Sequence, residues 1–570
     1  MKKLPYYQPD LQLLIHELKN CSRIIDEEHE LYKFLITYFA ASATENTGCL
    51  LPEKYRKFKR DSLQSRGMQL IGQILDELHF LDLDIPSTFT LTNSGIKQVI
   101  EYINEELDRK IQEELVLYRK ESLLLNLTLL ASVLSKITIY LNTDYKATVP
   151  DGIDELIVSF NSIKSYIFFD PRVFLGELKS TLEHILNRLL LTGEQEYRQN
   201  SRKVEINYTG LCSLFELFFA KILLDSYIDL LPFVNKDERD EISFSKEKGI
   251  SLPNRILENF TNYIVDTRDE ELIIGDKKIE VILKYLQQVK NISPNILNNY
   301  LSQPDENRAL KLENIYLSLC EKNLIISDFS MNQSLSTDDS KLVIENLTLN
   351  NKSFYESMPI NSIIGEPNMR LFRAPVLEFS EIDILPTFSF LESAKYFPYR
   401  ILRSDILNKK NGKTWTTLIR KNFDERLLPE FKKIAESYDR DCKINYYLNQ
   451  SKIDGIKALV KNNSLIEELD LVFIYNNTLY TYDLKNYGLA RNVKQCKSIV
   501  NSQIYKEFAK LNKLKSTILS NKLLFQKEFG QFDTVEIGVV TVNTTPYKYF
   551  KNGRVYSIPE LRKNPNLLIS

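Results

Sequence analysis

Apolar residues recur every three or four positions through most of the N-terminal half of the chain. The spacing is regular over 11–18, 66–81 and 99–141, and this period is typical of amphipathic α-helices. The stretch 214–231 is apolar on nearly every side, which predicts a helix buried inside a larger bundle. These patterns predict a largely α-helical N-terminal half, with a helical domain over 1–240.

Within that half, one segment departs from the helical period. Residues 80–103 resemble the wing and closing helix of winged helix-turn-helix domains, in which a Leu-Thr-x-x-Gly turn opens the last helix. The resemblance would place a winged-helix-like part near 66–105. A helical bundle with one extended excursion is the alternative interpretation.

The middle of the chain mixes two patterns. A charged, irregular segment over 235–275 indicates a connector, and alternating segments typical of short strands follow within 341–388. We predict a mixed helical and strand domain over 241–405.

In the remaining residues, 406–570, segments with the apolar spacing of helices and segments with that of strands follow one another. A stripe formed by Leu427, Phe431, Ile434 and Tyr438 predicts a helix, and the segment 442–449 predicts a strand. A hairpin over 467–486 and a helix over 491–518 come next. The nearly continuous apolar run 535–543 predicts a central strand that is buried on both faces. The predicted order is αβββαβ, a C-terminal α/β core in a multidomain protein.

The hairpin fixes a register. Asn476 and Asn477 separate two strand-like runs and suit the positive φ angles of a two-residue turn. If they form the turn, Asp470 lies opposite Asp483 and Glu468 lies opposite Lys485. Because side chains alternate along a strand, all four then point to one face.

Two carboxylates opposite each other on a sheet repel, and a divalent cation would offset that cost. Mg²⁺ is commonly held by one or two protein carboxylates, with water and substrate phosphate as the other ligands. Lys485 would stand beside this cation and polarise a water molecule or a phosphate. The alternative is an exposed hairpin on which Glu468 and Lys485 form an ordinary ion pair.

The Asp470 hairpin followed by Asp483-Leu484-Lys485-Asn486 resembles the PD-(D/E)xK nuclease superfamily, especially its nuclease-related and Mrr-like branches. The resemblance implies a restriction-endonuclease-like core and hydrolysis of phosphodiester bonds with Mg²⁺ or Mn²⁺. It implies Asp470 and Asp483 as metal ligands, Lys485 as a catalytic residue, and Glu468 as a residue that completes the metal shell.

The same superfamily usually brings a glutamate from its first helix to the metal. Glu425, Glu430 and Glu436 are the candidates, and Glu430 flanks the apolar stripe, so we predict Glu430 as a catalytic residue. The alternative is an acidic residue favoured in the first turn of a helix by the helix dipole. The chain lacks the Gln-x-x-x-Tyr motif of the RecB-like branch, since Ile499 follows Gln495 and Glu507 follows Gln503 at that spacing.

Charge and composition narrow the function classes. Residues 400–570 contain 30 Lys and Arg against 17 Asp and Glu, a surplus of 13, whereas the net charge of the 570-residue chain is −2. A basic domain with an acidic site suits a polyanionic substrate. All four histidines lie in the first third of the chain, which excludes a histidine-based site near the hairpin, and no phosphate-binding Gly-x-x-x-x-Gly-Lys-(Ser/Thr) loop is present.

The six cysteines are scattered without metal-site spacing, no run of 18 uninterrupted apolar residues occurs, and we predict a cytoplasmic protein with no membrane association. The predicted function is a Mg²⁺-dependent nuclease, an endonuclease acting on DNA in preference to RNA, in restriction or antiviral defence. The alternative is a non-catalytic nucleic-acid-binding or docking subunit. The N-terminal half would form the contact of a homodimer or bind a protein partner.

Overall fold

The computed structural model describes most residues of an N-terminal and a C-terminal region and a few short segments between them. The N-terminal region comprises 29–48, 60–79, 94–142, 171–191 and 204–230, and the C-terminal region comprises 428–462, 468–485, 487, 496–551 and 553–569. Short segments between 241 and 393 and a few residues near positions 10 and 90 are also described.

Long helices dominate the N-terminal region, as the periodicity predicts. They are α1 (Glu30–Thr47), α2 (Leu63–His79), α3 (Ser94–Leu115), α4 (Lys120–Asn142), α5 (Pro171–Leu191) and α6 (Tyr208–Leu230). A further helix, α7 (Asn254–Asp266), lies within the predicted connector 235–275, so that segment is not irregular throughout. The predicted buried helix is α6, whose apolar residues Leu214, Phe215 and Leu224 lie in the core. Glu216 on the same helix is buried too, and it accepts hydrogen bonds from Tyr38 and from Arg60 at 2.6 Å. These partners explain how an apolar helix carries a carboxylate in the core.

Among the described helices, the part of α4 over Lys120–Thr138 is long and apolar enough to cross a membrane by composition. Most of this stretch is buried inside the protein, as is usual for the core helix of a bundle.

A three-stranded antiparallel sheet joins distant parts of the chain. It contains β1 (Thr88–Thr90), β2 (Glu241–Ser245) and β3 (Gly249–Ser251), in the order β1-β2-β3. The strand predicted as a wing therefore pairs with residues about 150 positions further along the chain, on the other side of the predicted boundary at 240.

The middle of the chain contributes a mixed four-stranded sheet. Its strands are β4 (Leu324–Ser327), β5 (Thr348–Leu349), β6 (Val376–Glu378) and β7 (Asp383–Pro386), in the order β4-β7-β6-β5. Ser389, just after β7, shares a buried hydrogen bond of 3.0 Å with Ser135 on α4. The apolar spacing over 276–330 predicts helices; the structure describes only Leu324–Ser327 of that range, and these residues form strand β4 instead.

A five-stranded mixed sheet forms the centre of the C-terminal region. Its strands are β8 (Lys443–Tyr447), β9 (Glu468–Tyr475), β10 (Thr478–Lys485), β11 (Thr534–Thr541) and β12 (Val555–Ser557), in the order β12-β11-β10-β9-β8. β8, β9 and β10 are antiparallel neighbours, and β11 runs parallel to both β10 and β12. The helices are α8 (428–436), α9 (Asp454–Lys461), a π-helix (Ser498–Ile504), α10 (Tyr505–Ser520), α11 (Lys522–Phe529), α12 (Tyr547–Phe550) and α13 (Ile558–Lys563).

Helices cover both faces of this sheet. On one face, Leu511, Leu514 and Ile518 of α10 join the core that contains Val472, Leu479 and Val535, Ile537 and Val539 of β11. On the other face, Phe431 and Ala435 of α8 pack in the core that contains Phe473, Tyr480 and Tyr482. The prediction that β11 is buried on both faces is confirmed, since both cores draw residues from it. The residues between β8 and β9 include helix α9, and Ile456 of that helix is buried in the core.

One carboxyl group in the N-terminal bundle makes stability depend on pH. Burial, assisted by the charge of Glu45, raises the pKa of Glu177 on α5 from 4.5 to about 7. Between these pH values the folded state keeps a proton on Glu177 that the unfolded chain releases. The contribution of protonated Glu177 to the free energy of unfolding is therefore complete below pH 4.5 and is lost as pH rises through 7.

We therefore expect Glu177→Gln to stabilise the protein at pH 8 and to have little effect at pH 5. The gain should be roughly 1–2 kcal/mol after allowance for the partial exposure of the side chain. Unfolding temperatures at the two pH values test this. As a control, Glu113→Gln at an exposed position should differ from wild type in unfolding temperature by the same amount at both pH values. If Glu177→Gln also has the same effect at both pH values, the raised pKa of Glu177 is contradicted.

Candidate active site

The β9–β10 hairpin has the turn and register that its sequence predicts. Asn476 and Asn477 adopt φ angles of 47° and 58°, as a two-residue primed turn requires. Tyr475 pairs with Thr478, and the ladder continues in that register to Leu471 and Tyr482. The next residue on each strand is Asp470 and Asp483, so the turn brings these two carboxylates together.

Asp470 and Asp483 are tied to each other and to the backbone. Asp470 Oδ2 accepts a hydrogen bond from the amide of Leu484 at 2.6 Å, and its carboxyl group is hydrogen-bonded to that of Asp483. Burial raises the pKa of Asp483, and the hydrogen bond to Asp470 raises it further. The pair is therefore a half-buried acidic site in which two carboxyl groups lie close together.

Lys485 completes the site from the same strand. Its Nζ lies 2.7 Å from Asp483 Oδ1 and 3.8 Å from Glu507 Oε2. Burial alone would lower the pKa of Lys485, but the neighbouring carboxylates, Asp483 above all, raise it. The ammonium group thus stays charged at neutral pH.

Glu468 lies at the start of β9, where it pairs in register with Tyr447 of β8. It is half-buried and shares the strand face of Asp470, two residues away. The ion pairs of Lys485 are made with Asp483 and Glu507, so the alternative of a simple Glu468–Lys485 pair does not describe this hairpin.

A third carboxylate, Glu507 on α10, joins the cluster. Its carboxyl group is hydrogen-bonded to that of Asp483, and burial raises its pKa. Lys510 Nζ lies 3.0 Å from its Oε1, and only 13% of the Glu507 side chain is exposed. Sequence reasoning missed this residue, although Glu507 lies three residues after the core residue Ile504 and four before Leu511, which is the spacing of a helix face turned toward the sheet.

The helix that carries Glu507 begins irregularly. A π-helix over Ser498–Ile504 leads directly into α10, and π-helical turns occur frequently at functional sites. Its buried residues Ile499, Val500 and Ile504 belong to the same core as Val472 and Leu479 of the hairpin.

Glu430 is not brought to this cluster. Its two carboxylate oxygens accept hydrogen bonds from Arg562 at 2.5 and 2.9 Å. The helix that carries it, α8, packs on the sheet face that contains Phe473 and Tyr480, which is opposite to the face of Asp483 and Glu507. The prediction of Glu430 as a catalytic residue is therefore wrong, because an apolar stripe locates the buried side of a helix but not which face of the sheet it covers.

Glu430→Gln should accordingly leave any activity of the carboxylate cluster within about a factor of two of wild type. Its loss of an exposed ion pair with Arg562 should lower the free energy of unfolding by only about 0–1 kcal/mol. Parallel measurements of nuclease activity and unfolding temperature check this. A large loss of activity without loss of stability would return Glu430 to the site.

The exposed side of α10 is basic. Lys506, Lys510 and Lys513 follow one another at four- and three-residue spacing, so they form a stripe beside the Glu507 side of the helix. Tyr505, at the start of α10, is 69% exposed. Gln503, a candidate phosphate or base contact, is exposed next to it. Gln495, the other candidate, lies outside the described residues.

The carboxylates of the cluster fit a cation that has two protein ligands better than a cation coordinated entirely by protein side chains. Within the part of the chain that the structure describes, no group of three or more His, Cys, Asp or Glu side chains is arranged to hold a metal ion. Asp470 and Asp483, however, are adjacent carboxyl groups on neighbouring strands, and a bound cation would offset their mutual repulsion. Two carboxylates with water and phosphate as further ligands are typical of Mg²⁺.

Comparisons of the chain with protein-family models, with curated proteins and with solved structures found no match. The chemistry of this site is therefore inferred from its own residues and geometry.

Proposed function

We propose that this protein is a metal-dependent nuclease whose C-terminal region hydrolyses phosphodiester bonds of nucleic acid. The observation that carries the proposal is the cluster of Asp470, Asp483 and Glu507 with the Lys485 ammonium 2.7 Å from Asp483. A structural ion pair needs one carboxylate per ammonium, whereas this site gathers three acidic groups with two ammonium groups, those of Lys485 and Lys510. An excess of half-buried carboxyl groups beside a basic surface suits a cation and a polyanion.

The order of elements supports the resemblance to PD-(D/E)xK nucleases. Helix α8, the strands β8, β9 and β10, helix α10 and strand β11 follow the αβββαβ order expected of a restriction-endonuclease-like core. Helices α9 and α11 and the elements after β11 would be additions to that core. On the resemblance we propose DNA as the preferred substrate, on the multidomain architecture we propose restriction of foreign DNA as the role, and from the scattered cysteines we propose the cytoplasm as the location.

Asp470 and Asp483 would hold the divalent cation, Mg²⁺ or Mn²⁺. When bound, such a cation lowers the pKa of a water molecule and neutralises charge on the phosphate. The Leu484 amide fixes one oxygen of Asp470, and Glu507 orients Asp483 through their hydrogen bond. These contacts hold both carboxylates in place before substrate binds. Glu468, two residues before Asp470 on the same face of β9, would orient a water ligand.

Lys485 would act as a cation and a hydrogen-bond donor. Because the surrounding carboxylates raise its pKa, it is not a base at neutral pH. Its ammonium group can bind a nonbridging phosphate oxygen and stabilise the negative charge that grows there in the transition state. The same group can orient the attacking water.

The stripe of Lys506, Lys510 and Lys513 would bind the phosphate backbone next to the cluster. Exposed lysines supply affinity that falls as salt concentration rises, and exposed Tyr505 offers a surface on which a base can stack. Cleavage of both strands of a duplex by one such site needs a second copy of the chain or repeated nicking, so we propose a homodimer on DNA.

The test is cleavage of supercoiled plasmid, linear duplex DNA, single-stranded DNA and RNA with Mg²⁺ or Mn²⁺. We expect metal-dependent cutting of DNA in preference to RNA, and nicked plasmid before linear plasmid if the enzyme is an endonuclease. Absence of cutting for all four substrates, together with no thermal stabilisation by either metal, would contradict the proposal.

A second candidate is a nucleic-acid-binding subunit that keeps this fold without cutting. One observation favours it: Lys485 Nζ lies 2.7 Å from Asp483, the carboxylate that would bind the cation. Salt-dependent binding of DNA without metal-dependent stabilisation would support this candidate.

A further inference from the structure

Tyr487 lies beside the carboxylate cluster, two residues after Lys485. Two hydrogen bonds hold Tyr487 and the preceding strand end against the end of β11: the amide of Val542 donates to the carbonyl of Lys485 at 3.1 Å, and Asn543 Nδ2 donates to the carbonyl of Tyr487 at 2.9 Å. Its ring packs against the core on the α10 side of the sheet. Tyr487 is therefore fixed on the face that carries Asp483 and Glu507.

The hydroxyl group of Tyr487 is buried and makes no hydrogen bond. Other tyrosines of the same sheet do not share this feature, since Tyr482 donates to the carbonyl of Leu568 and Tyr446 donates to Glu528. An unpaired buried hydroxyl costs stability, and a native protein that keeps one usually has a reason for it. Among these three tyrosines, the hydroxyl group without a hydrogen-bond partner is the one next to the carboxylate cluster.

The nearby acidic groups do not serve as its acceptors. Asp483 is engaged by Asp470, Glu507 and Lys485, and Glu507 is engaged by Asp483 and Lys510. Burial raises the pKa of Tyr487, and the charges of Glu507 and Asp483 raise it further, so the phenol stays protonated and keeps a hydrogen to donate. The site thus holds a hydrogen-bond donor ready for an acceptor that the protein does not supply.

We propose that Tyr487 donates its phenolic hydrogen to a nonbridging oxygen of the phosphodiester that binds at Asp470, Asp483 and Lys485. This inference rests on the proposed nuclease function and names a further residue that touches the substrate. A phosphate oxygen is a strong acceptor, and a fixed donor next to it stabilises the charge that develops during hydrolysis. The phenol would bind the substrate from the α10 side, next to Lys485.

The variant Tyr487→Phe tests this because it removes only the hydroxyl group. Without substrate, its unfolding temperature should equal or exceed that of wild type, since no hydrogen bond is lost. With Mg²⁺ and DNA, kcat/KM should fall on the order of 10²-fold, as for removal of one transition-state donor. The matched control is Tyr482→Phe, which should lower the unfolding temperature and leave kcat/KM unchanged.

Two results would overturn the proposal. If Tyr487→Phe lowers the unfolding temperature as Tyr482→Phe does, the hydroxyl has a structural partner such as a fixed water molecule. If kcat/KM of Tyr487→Phe equals that of wild type, the hydroxyl does not touch the substrate.

A wild-type protein that does not cut would reject the proposed nuclease function but not the donor. Binding of a fluorescein-labelled single-stranded oligodeoxynucleotide, with Ca²⁺ in place of Mg²⁺, separates the two. Weaker binding by Tyr487→Phe than by wild type would support the donor in a binding protein, and equal binding would overturn it.

Discussion

Replacing Lys485 by alanine will lower the rate of nucleic-acid cleavage by on the order of 10²–10³-fold, the usual effect of removing one group that stabilises a transition state. The reason is that its ammonium lies 2.7 Å from Asp483 and is the one cation within 3 Å of either hairpin carboxylate in the part of the chain described by the structure. Turnover under saturating DNA and Mg²⁺ is the quantity to measure.

Lys515→Ala is the matched control for that variant. Lys515 is a half-exposed lysine of α10 that lies 3.6 Å from Glu536 of β11. It should keep wild-type turnover while losing a similar, small amount of stability. Equal turnover of wild type and Lys485→Ala would exclude Lys485 from the chemistry.

Mn²⁺ will stabilise the wild-type protein, and Asp470→Asn will abolish that gain. Binding to the folded state alone contributes about 2.7 kcal/mol at a free metal concentration of 100 times Kd. An asparagine side chain can still accept the hydrogen bond from Leu484, so the variant removes the charge and keeps the local structure. Unfolding temperatures with and without Mn²⁺ measure the effect.

Asp439 provides the control for the metal experiment. Its Oδ2 accepts a hydrogen bond from the amide of Ile474 at 2.8 Å, so it holds the hairpin in the same way as Asp470, but it lies near the turn and outside the cluster. Asp439→Asn should retain the full Mn²⁺ stabilisation. A shift that survives in Asp470→Asn would place the metal elsewhere.

The hairpin was predictable because its determinants are local. Two adjacent asparagines set the turn, the turn sets the register, and alternation then places Asp470, Asp483 and Lys485 on one face. Strand β11 was predictable for a similar reason, since a continuous apolar run is buried whichever helices cover it. The long helix α6 follows from its composition in the same way.

Elements that depend on distant contacts were not predictable from pattern. β1 has three residues and takes its partner from 241–245, a pairing that no local signal indicates. The placement of Glu430 and Glu507 depends on which sheet face each helix covers, and periodicity gives only the buried side of a helix. The sequence therefore predicted the strand residues of the cluster and assigned the helix glutamate to the wrong helix.

The central claim is tested most directly by plasmid cleavage with purified wild type and Asp483→Asn, in Mg²⁺ and after addition of EDTA. Wild type should nick or cut the plasmid in Mg²⁺ and stop after EDTA, and Asp483→Asn should be inactive while its unfolding temperature matches or exceeds that of wild type, because the variant removes a repelling carboxylate. Cleavage by Asp483→Asn at the wild-type rate, or cutting by wild type that persists in EDTA, would contradict a metal-dependent site at this hairpin.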